Sequence, residues 1–227
     1  MTKRFVVTVD GPAGSGKSTV SRLLARRLSY VYLDTGALYR AIALKVSAAG
    51  LASADRAGIA ALCGETDISL AEREGTTRIL LDGRDVTELI RTPEISMLAS
   101  TVSAHPEVRQ RLLAVQREAA RTGGVVAEGR DMGTVVFPGA DVKFFLTAGA
   151  EERARRRWLE LRERGHEVGL DEVLRDVIRR DRQDSEREIA PLRPSEDGVL
   201  VDSTGKSIED VVEEMFRAIK TRKTGKL

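Results

Sequence analysis

Residues 11–18 read Gly-Pro-Ala-Gly-Ser-Gly-Lys-Ser, which is a complete G-x-x-x-x-G-K-[ST] phosphate-binding loop. The residues before it, 5–9 (Phe-Val-Val-Thr-Val), are β-branched and apolar, which is typical of a buried parallel strand. The residues after it, 19–28, carry apolar side chains at helical spacing. The motif therefore lies between a strand and a helix, the context that it requires. This agreement disfavours the alternative, a glycine-rich turn without a ligand.

The chemistry of such a loop follows from its residue types. Its glycines allow the backbone to curl so that N–H groups point at a phosphate chain, and the helix that starts near Lys17 adds its positive dipole end. Lys17 is expected to reach the β- and γ-phosphates, and the Ser18 hydroxyl to ligate Mg²⁺. The residues predicted to hold the nucleotide phosphates are Gly11, Ala13, Gly14, Ser15, Gly16, Lys17, Ser18 and Thr19.

A second candidate loop, Thr204-Gly205-Lys206-Ser207, follows another apolar run near the end of the chain. A phosphate loop would need glycine five residues before Gly205, and Leu200 stands there. We therefore interpret the segment as a strand–turn–helix, with Ser207 as the helix N-cap and Asp210 three residues on.

Composition narrows the class of protein. The 227 residues include 37 Lys and Arg against 35 Asp and Glu, a net charge of +2 that indicates no particular partner. One cysteine, Cys63, excludes a disulfide framework, and two distant histidines argue against a histidine metal site or a Ser-His-Asp triad. The sequence suggests neither a signal peptide nor a membrane span, so we expect a cytoplasmic protein.

Asparagine is absent from the chain, and Arg far outnumbers Lys. A guanine-specific GTPase reads its base with an Asn-Lys-x-Asp segment, so that class is excluded. The depletion of amides is typical of heat-adapted proteins, and a GC-rich genome is the alternative explanation.

Strand-like runs alternate with helical patterns along the chain. This alternation predicts an α/β fold, a doubly wound parallel sheet with helices on both faces, in a single domain over residues 1–227. Residues 62–93 differ, because Glu74-Gly75 and Asp82-Gly83 separate short strands there, and we expect an inserted antiparallel hairpin subdomain. The predicted strands are 5–9, 30–33, 67–70, 77–81, 84–87, 125–127, 141–146 and 199–202. The predicted helices are 19–28, 36–44, a short one within 48–64, 94–104, 106–121, 150–164, 170–188 and a core-facing 208–219, with a frayed tail from Thr221.

Ligands of such sheets bind at the carboxyl ends of the strands. The phosphate loop, Asp34-Thr35 and the segment 128–131 (Glu-Gly-Arg-Asp) should meet there. The arginines near these places favour a kinase whose acceptor is itself phosphorylated, since that acceptor brings negative charge beside the nucleotide. Arg180, Asp184 and Arg187 fall on one face of a predicted helix. They serve such an acceptor or, alternatively, form an ordinary salt bridge on a solvated face. The arginine-rich residues 150–166 are predicted to form a lid, or else a solvated helix.

These features together resemble the bacterial cytidylate kinase family. The resemblance runs from Val6 to Ile219, and its most specific part is residues 128–138 (Glu-Gly-Arg-Asp-Met-Gly-Thr-Val-Val-Phe-Pro). The segments 34–40 (Asp-Thr-Gly-Ala-Leu-Tyr-Arg), 180–184 (Arg-Asp-Arg-Gln-Asp) and 190–192 (Ala-Pro-Leu) add to it. In that family ATP phosphorylates CMP or dCMP, so the resemblance implies ATP, Mg²⁺ and these two small-molecule substrates. We expect no nucleic-acid or membrane partner, and we expect a monomer.

The resemblance also implies roles for individual residues. Lys17, Arg130 and Arg180 would be catalytic, and Arg157 would join the loop in holding ATP. Ser100, Arg109 and Asp131 would read cytosine, whose N4 donor and O2 and N3 acceptors match this set. The CMP phosphate and sugar would be held by Thr35, Arg40, Arg130, Arg180, Asp184 and Arg187. Glu128 stands where many members have Asp, as an indirect contact of Mg²⁺ or an anchor for an arginine.

Two other functions stay open from the sequence. One is another P-loop kinase of a small acceptor, such as an adenylate or shikimate kinase, which a panel of acceptors would distinguish. The other is a regulatory or nucleic-acid-binding protein that places its arginine-rich helix on a backbone, with strongly salt-dependent binding.

Overall fold

The structure is a computed structural model that describes residues 3–73, 76–223 and 225. The chain divides into two compact units. The first unit combines residues 1–32 with 123–227, and the second comprises residues 33–122.

A five-stranded sheet forms the frame of the first unit, and its strand order is β2-β6-β1-β7-β8. Strand β1 is parallel to both β6 and β7, and β7 is parallel to β8. The predicted parallel α/β sheet is therefore confirmed. The strands are β1 (Val6–Asp10), β2 (Val31–Asp34), β6 (Val125–Gly129), β7 (Val142–Thr147) and β8 (Val199–Asp202), of which β2 crosses the division between the units.

The core of the first unit lies between this sheet and its helices. Phe144, Leu146 and Val9 of the central strands pack with Leu24 and Met215 in one cluster. The helices of this unit are α1 (Lys17–Leu28), α6 (Ala150–Glu163), α7 (Leu170–Glu186) and α8 (Ile208–Lys223).

Helix α8 confirms most of its predicted apolar stripe. Val211, Val212, Met215 and Ile219 are buried, but Ile208 is 44% exposed, because it lies at the first position of the helix. The tail predicted to fray from Thr221 is helical through Lys223, and residues 224, 226 and 227 lie outside the described residues. Ser207 is the predicted N-cap, since its Oγ accepts from the Asp210 N–H at 3.1 Å.

The second unit contains a three-stranded antiparallel sheet, as the hairpin pattern predicts. Asp82 (φ 49°) and Gly83 (φ 77°) both adopt left-handed backbone conformations, as a two-residue hairpin turn requires. The turn predicted at Glu74-Gly75 lies outside the described residues. The elements are α2 (Thr35–Ala48), α3 (Arg56–Gly64), β3 (Ile68–Arg73), β4 (Thr76–Leu81), β5 (Arg84–Asp85), α4 (Pro93–Val102) and α5 (Pro106–Ala119). Their core includes Leu38, Ile42, Ile59, Leu112 and the buried thiol of Cys63.

Most predicted bounds differ from these by a few residues, and two differences have a clear cause. Helix α2 begins at Thr35 rather than Gly36, because the Asp34 carboxylate accepts from the Ala37 N–H at 3.0 Å and caps it. Helix α7 ends at Glu186 rather than at residue 188, because Arg187 has extended backbone angles. Within the described residues, no helix is both long and apolar enough to span a membrane.

Candidate active site

The phosphate loop connects the end of β1 to the start of α1. Gly16 (φ 88°) is the N-cap of α1, and no side chain among the described residues caps this helix. Gly11 and Gly14 also have positive φ, and a Cβ on Gly14 would lie 2.8 Å from the Arg153 carbonyl oxygen. The sequence places glycine where no other residue fits, and the first N–H groups of α1 are left for an anion.

Three carbonyl groups of the loop accept hydrogen bonds, one from within the loop and two from other segments. The Pro12 oxygen accepts from Lys17 Nζ at 2.6 Å, and the Ala13 oxygen accepts from Arg153 Nη1 at 3.1 Å. The Ser15 oxygen accepts from Ser203 Oγ at 3.2 Å. In a trans peptide the N–H points away from the C=O, so the N–H groups of the following residues face the opposite side. Those residues are Ala13, Gly14 and Gly16. Arg153 and Ser203 hold the Ala13 and Ser15 carbonyls from outside the loop, which leaves the N–H groups of Gly14 and Gly16 available to an anion.

Lys17 is a buried cation in this loop. Burial, followed by the charge of Arg130, lowers the pKa of Lys17 to about 7. The carboxylates of Glu128, Asp184 and Asp10 act in the opposite direction. A bound phosphate chain would add negative charge beside Nζ and stabilise the ammonium form.

The donor set of the loop also fits Mg²⁺. Ser18 and Thr19 are exposed in the first turn of α1, next to the Lys17 position. Mg²⁺ prefers oxygen ligands and usually keeps several waters beside substrate phosphates, so one hydroxyl is a sufficient protein contribution. Ser18 is accordingly the residue that would hold the ion.

Asp10, at the end of β1, was missed by sequence reasoning. Its Oδ1 accepts from the Met132 N–H and its Oδ2 from the Gly133 N–H, both at 2.8 Å. The carboxylate thereby fixes the π-helical turn Met132–Val136, which follows β6, to the end of β1, directly before the phosphate loop. Burial raises the pKa of Asp10 to about 6, although the two N–H bonds oppose this shift. The sequence signal that could have indicated a role for Asp10 is its position as a charged residue at the end of a buried strand.

Charged side chains stand at the end of β6, in the same unit as the loop: Glu128, Arg130 and Asp131. Arg130 donates from Nε to Asp184 Oδ2 at 2.7 Å, and Arg187 Nη2 lies 3.8 Å from Asp131 Oδ1. The pKa of Asp184 is lowered because Arg130 lies beside it, although burial acts to raise it. Glu128 is buried, and its Oε1 accepts from the Tyr32 hydroxyl at 2.5 Å.

Of the three residues predicted to share one face of α7, Arg180 and Asp184 lie within the helix and Arg187 follows its end. Asp184 is buried and pairs with Arg130, which does not fit the alternative of an ordinary solvated bridge. Arg187 is the C-cap of α7 and has extended backbone angles, so the helical spacing used in the prediction does not apply to it. Its Nε donates to the Ala190 carbonyl at 2.6 Å, where Ala190 has φ 51°.

Two of the arginines on helix α6, Arg153 and Arg157, differ in burial. Arg157, predicted to hold ATP, donates from Nη1 to Glu160 at 2.7 Å, with its side chain 23% exposed. Arg153 has a side chain only 7% exposed, and no individual role is predicted for it from the sequence. Its signal was a cation in the first turn of a helix, where the macrodipole disfavours positive charge.

The second unit holds the remaining predicted residues. Thr35 is buried at the start of α2, and Arg40 Nη2 contacts Asp34 Oδ2 at 2.9 Å. Ser100 lies on α4. Arg109 of α5 donates to the Ser103 carbonyl at 3.2 Å, and its guanidinium lies 5.6 Å from the centre of the Tyr39 ring.

The first unit contains the predicted loop residues 11–19, Arg130, Asp131, Arg157, Arg180, Asp184 and Arg187. A phosphate loop after β1 of a five-stranded parallel sheet, with buried acids holding arginines near the ends of its strands, defines a P-loop kinase. The sequence model of the cytidylate kinase family matches residues 7–221. The chain belongs to the cytidylate kinase family and is a phosphotransferase.

Individual relatives agree with this assignment. The chain is 53% identical over 218 residues to a protein named cytidylate kinase from Geobacter sulfurreducens, with 96% of this chain and 94% of that one covered. It is 54% identical over 213 residues to one of the same name from Carboxydothermus hydrogenoformans, with 94% and 96% covered.

Two solved structures share the fold. A gluconokinase from Sinorhizobium meliloti superposes with a TM-score of 0.51 at 16% identity, with 98% of this chain and 97% of that chain covered. A shikimate kinase from Bacteroides thetaiotaomicron superposes with a TM-score of 0.50 at 12% identity, with 95% and 98% covered.

Proposed function

We propose that the chain transfers the γ-phosphoryl group of ATP to CMP and to dCMP, giving ADP and the corresponding diphosphate. The observation that carries this proposal is the family match over residues 7–221, which includes both the phosphate loop and the arginine segments. The fold alone is shared with kinases of other acceptors, so it supports the reaction type but not the acceptor.

The donor end of the reaction belongs to the loop and its neighbours. The N–H groups of Ala13, Gly14 and Gly16 would bind phosphate oxygens, and Lys17 would follow the charge on the transferring group. Gly11, Ser15 and Thr19 complete the proposed loop contacts, and Arg157 would reach the nucleotide from α6. Mg²⁺, when bound through Ser18, neutralises charge on the phosphates.

The acceptor end needs cations rather than a base. The attacking CMP phosphate oxygen already carries negative charge, so no residue has to remove a proton, and the in-line transfer needs no covalent intermediate. Arg130, with its Nε fixed by Asp184, has further donors in its planar fork for a phosphate oxygen. Arg40, Arg180 and Arg187 are the other cations proposed for this phosphate, with the Thr35 hydroxyl.

The choice of base is assigned to a second group. Asp131 would accept from cytosine N4, and Arg109 and Ser100 would donate to O2 and N3. The burial of Asp131, at 2% exposed, supports this role, because a desolvated acceptor discriminates strongly between a donor and a second acceptor. Asp184 would also contact the sugar, and both CMP and dCMP would be accepted.

Further parts of the proposal concern segments and setting. Residues 62–93 would form an acceptor-side subdomain and residues 150–166 a lid, within a single kinase domain. The chain would act as a cytoplasmic monomer on small molecules, without nucleic acid or a membrane.

An acceptor panel tests the function. ADP release with ATP and Mg²⁺ is measured over CMP, dCMP, UMP, AMP and shikimate, with Lys17→Ala as the inactive control. We expect CMP and dCMP to exceed the other acceptors, and Lys17→Ala to keep less than about a tenth of the turnover. Preference for AMP or shikimate, or salt-dependent oligonucleotide binding without turnover, would overturn the proposal.

A further inference from the structure

Arg153 joins three separate segments of the first unit. Its Nε donates to the Ala148 carbonyl at 2.8 Å, at the turn before α6. Its Nη1 donates to the Ala13 carbonyl in the phosphate loop at 3.1 Å. Its Nη2 contacts Asp181 Oδ2 on α7 at 2.7 Å. One buried guanidinium therefore ties the loop to both α6 and α7.

Local energetics does not explain this residue. A cation in the first turn of a helix is disfavoured by the macrodipole, and a buried guanidinium loses its hydration. The cost is offset only by acceptors placed around it, and the planar fork of arginine can engage three at fixed angles, which a lysine ammonium cannot reproduce. The contacts of Arg153 thus point to a positional role.

At the loop, Arg153 acts through both its side chain and its backbone. Holding the Ala13 carbonyl directs the Gly14 N–H of the same peptide to the opposite side, where the phosphates are proposed to bind. A Cβ on Gly14 would lie 3.0 Å from the Arg153 Cβ, so the loop rests directly on the first turn of α6.

At α7, the partner of Arg153 adjoins the proposed phosphate-binding groups. Asp181 follows Arg180 in sequence, and Asp184 lies one turn further along the same helix. Asp184 in turn holds Arg130 at 2.7 Å. The contacts therefore run from Ala13 through Arg153 and Asp181 to the helix that carries Asp184.

We propose that the Arg153–Asp181 pair is a positioning device that sets the phosphate loop and the arginines of α7 at the mutual distance needed for in-line phosphoryl transfer. This inference rests on the proposed function. The proposal gives neither residue a contact with the reacting atoms, because both act through the segments that they join. Because small misplacement of reacting groups costs much rate, loss of the pair should reduce the transfer step more than substrate binding.

The test compares matched pairs of variants. Asp181→Asn and Arg153→Met break the pair, and Asp176→Asn and Arg155→Met are the controls on the same helices. Asp176 is paired with Arg179 on an exposed face, and Arg155 is exposed. Single-turnover phosphoryl transfer at saturating substrates isolates the chemical step, and thermal unfolding monitors the fold.

We expect Asp181→Asn to slow single-turnover transfer by about tenfold, with KM for CMP changed by less than about twofold. Its Tm is expected to fall below that of Asp176→Asn, because the buried Arg153 loses its carboxylate, so both rates are compared at a temperature where each variant is fully folded. Asp181→Glu, which keeps the carboxylate, should recover part of the rate. The double variant Arg153→Met/Asp181→Asn should be no slower than Arg153→Met alone, because the pair is already broken.

Two results would overturn the pair's role. One is an Asp181→Asn rate equal to that of Asp176→Asn, and the other is a double variant slowed by the product of the two single effects. The acceptor panel on the parent protein separates this from the proposed function. The variant-to-parent ratio is measured on whichever acceptor the parent uses, so a wrong acceptor leaves the test of the pair intact.

Discussion

The pKa of Lys17 should depend on whether a nucleotide is bound. Its pKa is lowered to about 7 by burial and by Arg130, so above pH 7 the free protein increasingly holds the neutral amine. Bound phosphates favour the ammonium and raise that pKa. ATP binding above pH 7 should therefore take up protons from solution.

Calorimetry at pH 8 measures this uptake as a difference in the observed ATP-binding enthalpy between two buffers of unlike ionisation enthalpy. Lys17→Met should bind ATP more weakly and show no such difference. Equal enthalpies in both buffers for the parent protein would contradict the assignment of a neutral Lys17 in the free enzyme.

Asp131 is the residue whose substitution tests base selection. Uracil presents an acceptor where cytosine presents N4, so a buried carboxylate there would face a second acceptor, at a cost of about 1–3 kcal/mol or more for a charged group. CMP should exceed UMP in kcat/KM by about a hundredfold or more, and Asp131→Ala should lose CMP activity and shrink that ratio.

Steady-state kinetics on both nucleotides decides between two roles of Asp131. Its Oδ1 lies 3.8 Å from Arg187 Nη2, so the carboxylate could instead anchor that arginine. Equal weakening of CMP and UMP in Asp131→Ala, with the ratio unchanged, would support the anchor and exclude base reading. Asp176→Ala is the control for a general loss of charge on the same unit.

At the scale of the element, α6 and α7 share a small core of their own. Ala154 and Leu161 of α6 pack with Val173 and Val177 of α7, and Trp158 lies against them. If residues 150–166 close over the nucleotide, the two helices should move together. Amide hydrogen exchange should then slow in both segments when a bisubstrate analogue binds. Equal exchange with and without the analogue would count against a lid.

Leu161→Ala should weaken this joint behaviour. Leu161 is 6% exposed, and its truncation is expected to cost about 2–3 kcal/mol, whereas Leu159→Ala, at 40% exposed, should cost less than about 0.5 kcal/mol. Hydrogen exchange of α7 in Leu161→Ala should be faster than in Leu159→Ala. The same rate in both variants would show that α7 does not depend on this packing.

Elements whose structure is decided locally were predicted well from the sequence. The loop 11–18, the start of α1 and the Asp82-Gly83 turn each depend on backbone conformations that only a few residue types adopt. Arg187 shows the limit of this approach, because the same spacing suits a continued helix or, as here, a helix that ends one residue earlier. The burial of Asp184 also depends on Arg130, 54 residues away, which no local pattern could indicate.

At the scale of the whole molecule, each compact unit has its own apolar cluster. Ile42 belongs to one and Ile219 to the other, and both are fully buried. Ile42→Val and Ile219→Val should each lower the free energy of unfolding by about 0.5–1.5 kcal/mol, and their effects should add within about 0.5 kcal/mol. Denaturant unfolding measures both, with Ile178→Val, at 52% exposed, as the neutral control. A clearly non-additive double variant would show that the clusters are coupled.

The contacts that complete the site could not be predicted because they join distant parts of the chain. Asp10 meets Met132 across 122 residues, and Arg153 meets Ala13 across 140. Sequence patterns report which face of an element is buried, but not which element covers it. The resemblance supplied residue roles at positions where the patterns alone left alternatives open.

The buried thiol of Cys63 makes this protein convenient for site-specific labelling. It is the chain's single cysteine and is 3% exposed, and burial raises the pKa of its thiol, so little reactive thiolate is present at neutral pH. A fluorophore attached to an introduced cysteine, for example in Arg155→Cys, would therefore mark a single site without removal of the native residue. Spectroscopic probes of α6 during turnover can thus be placed in an otherwise unaltered chain.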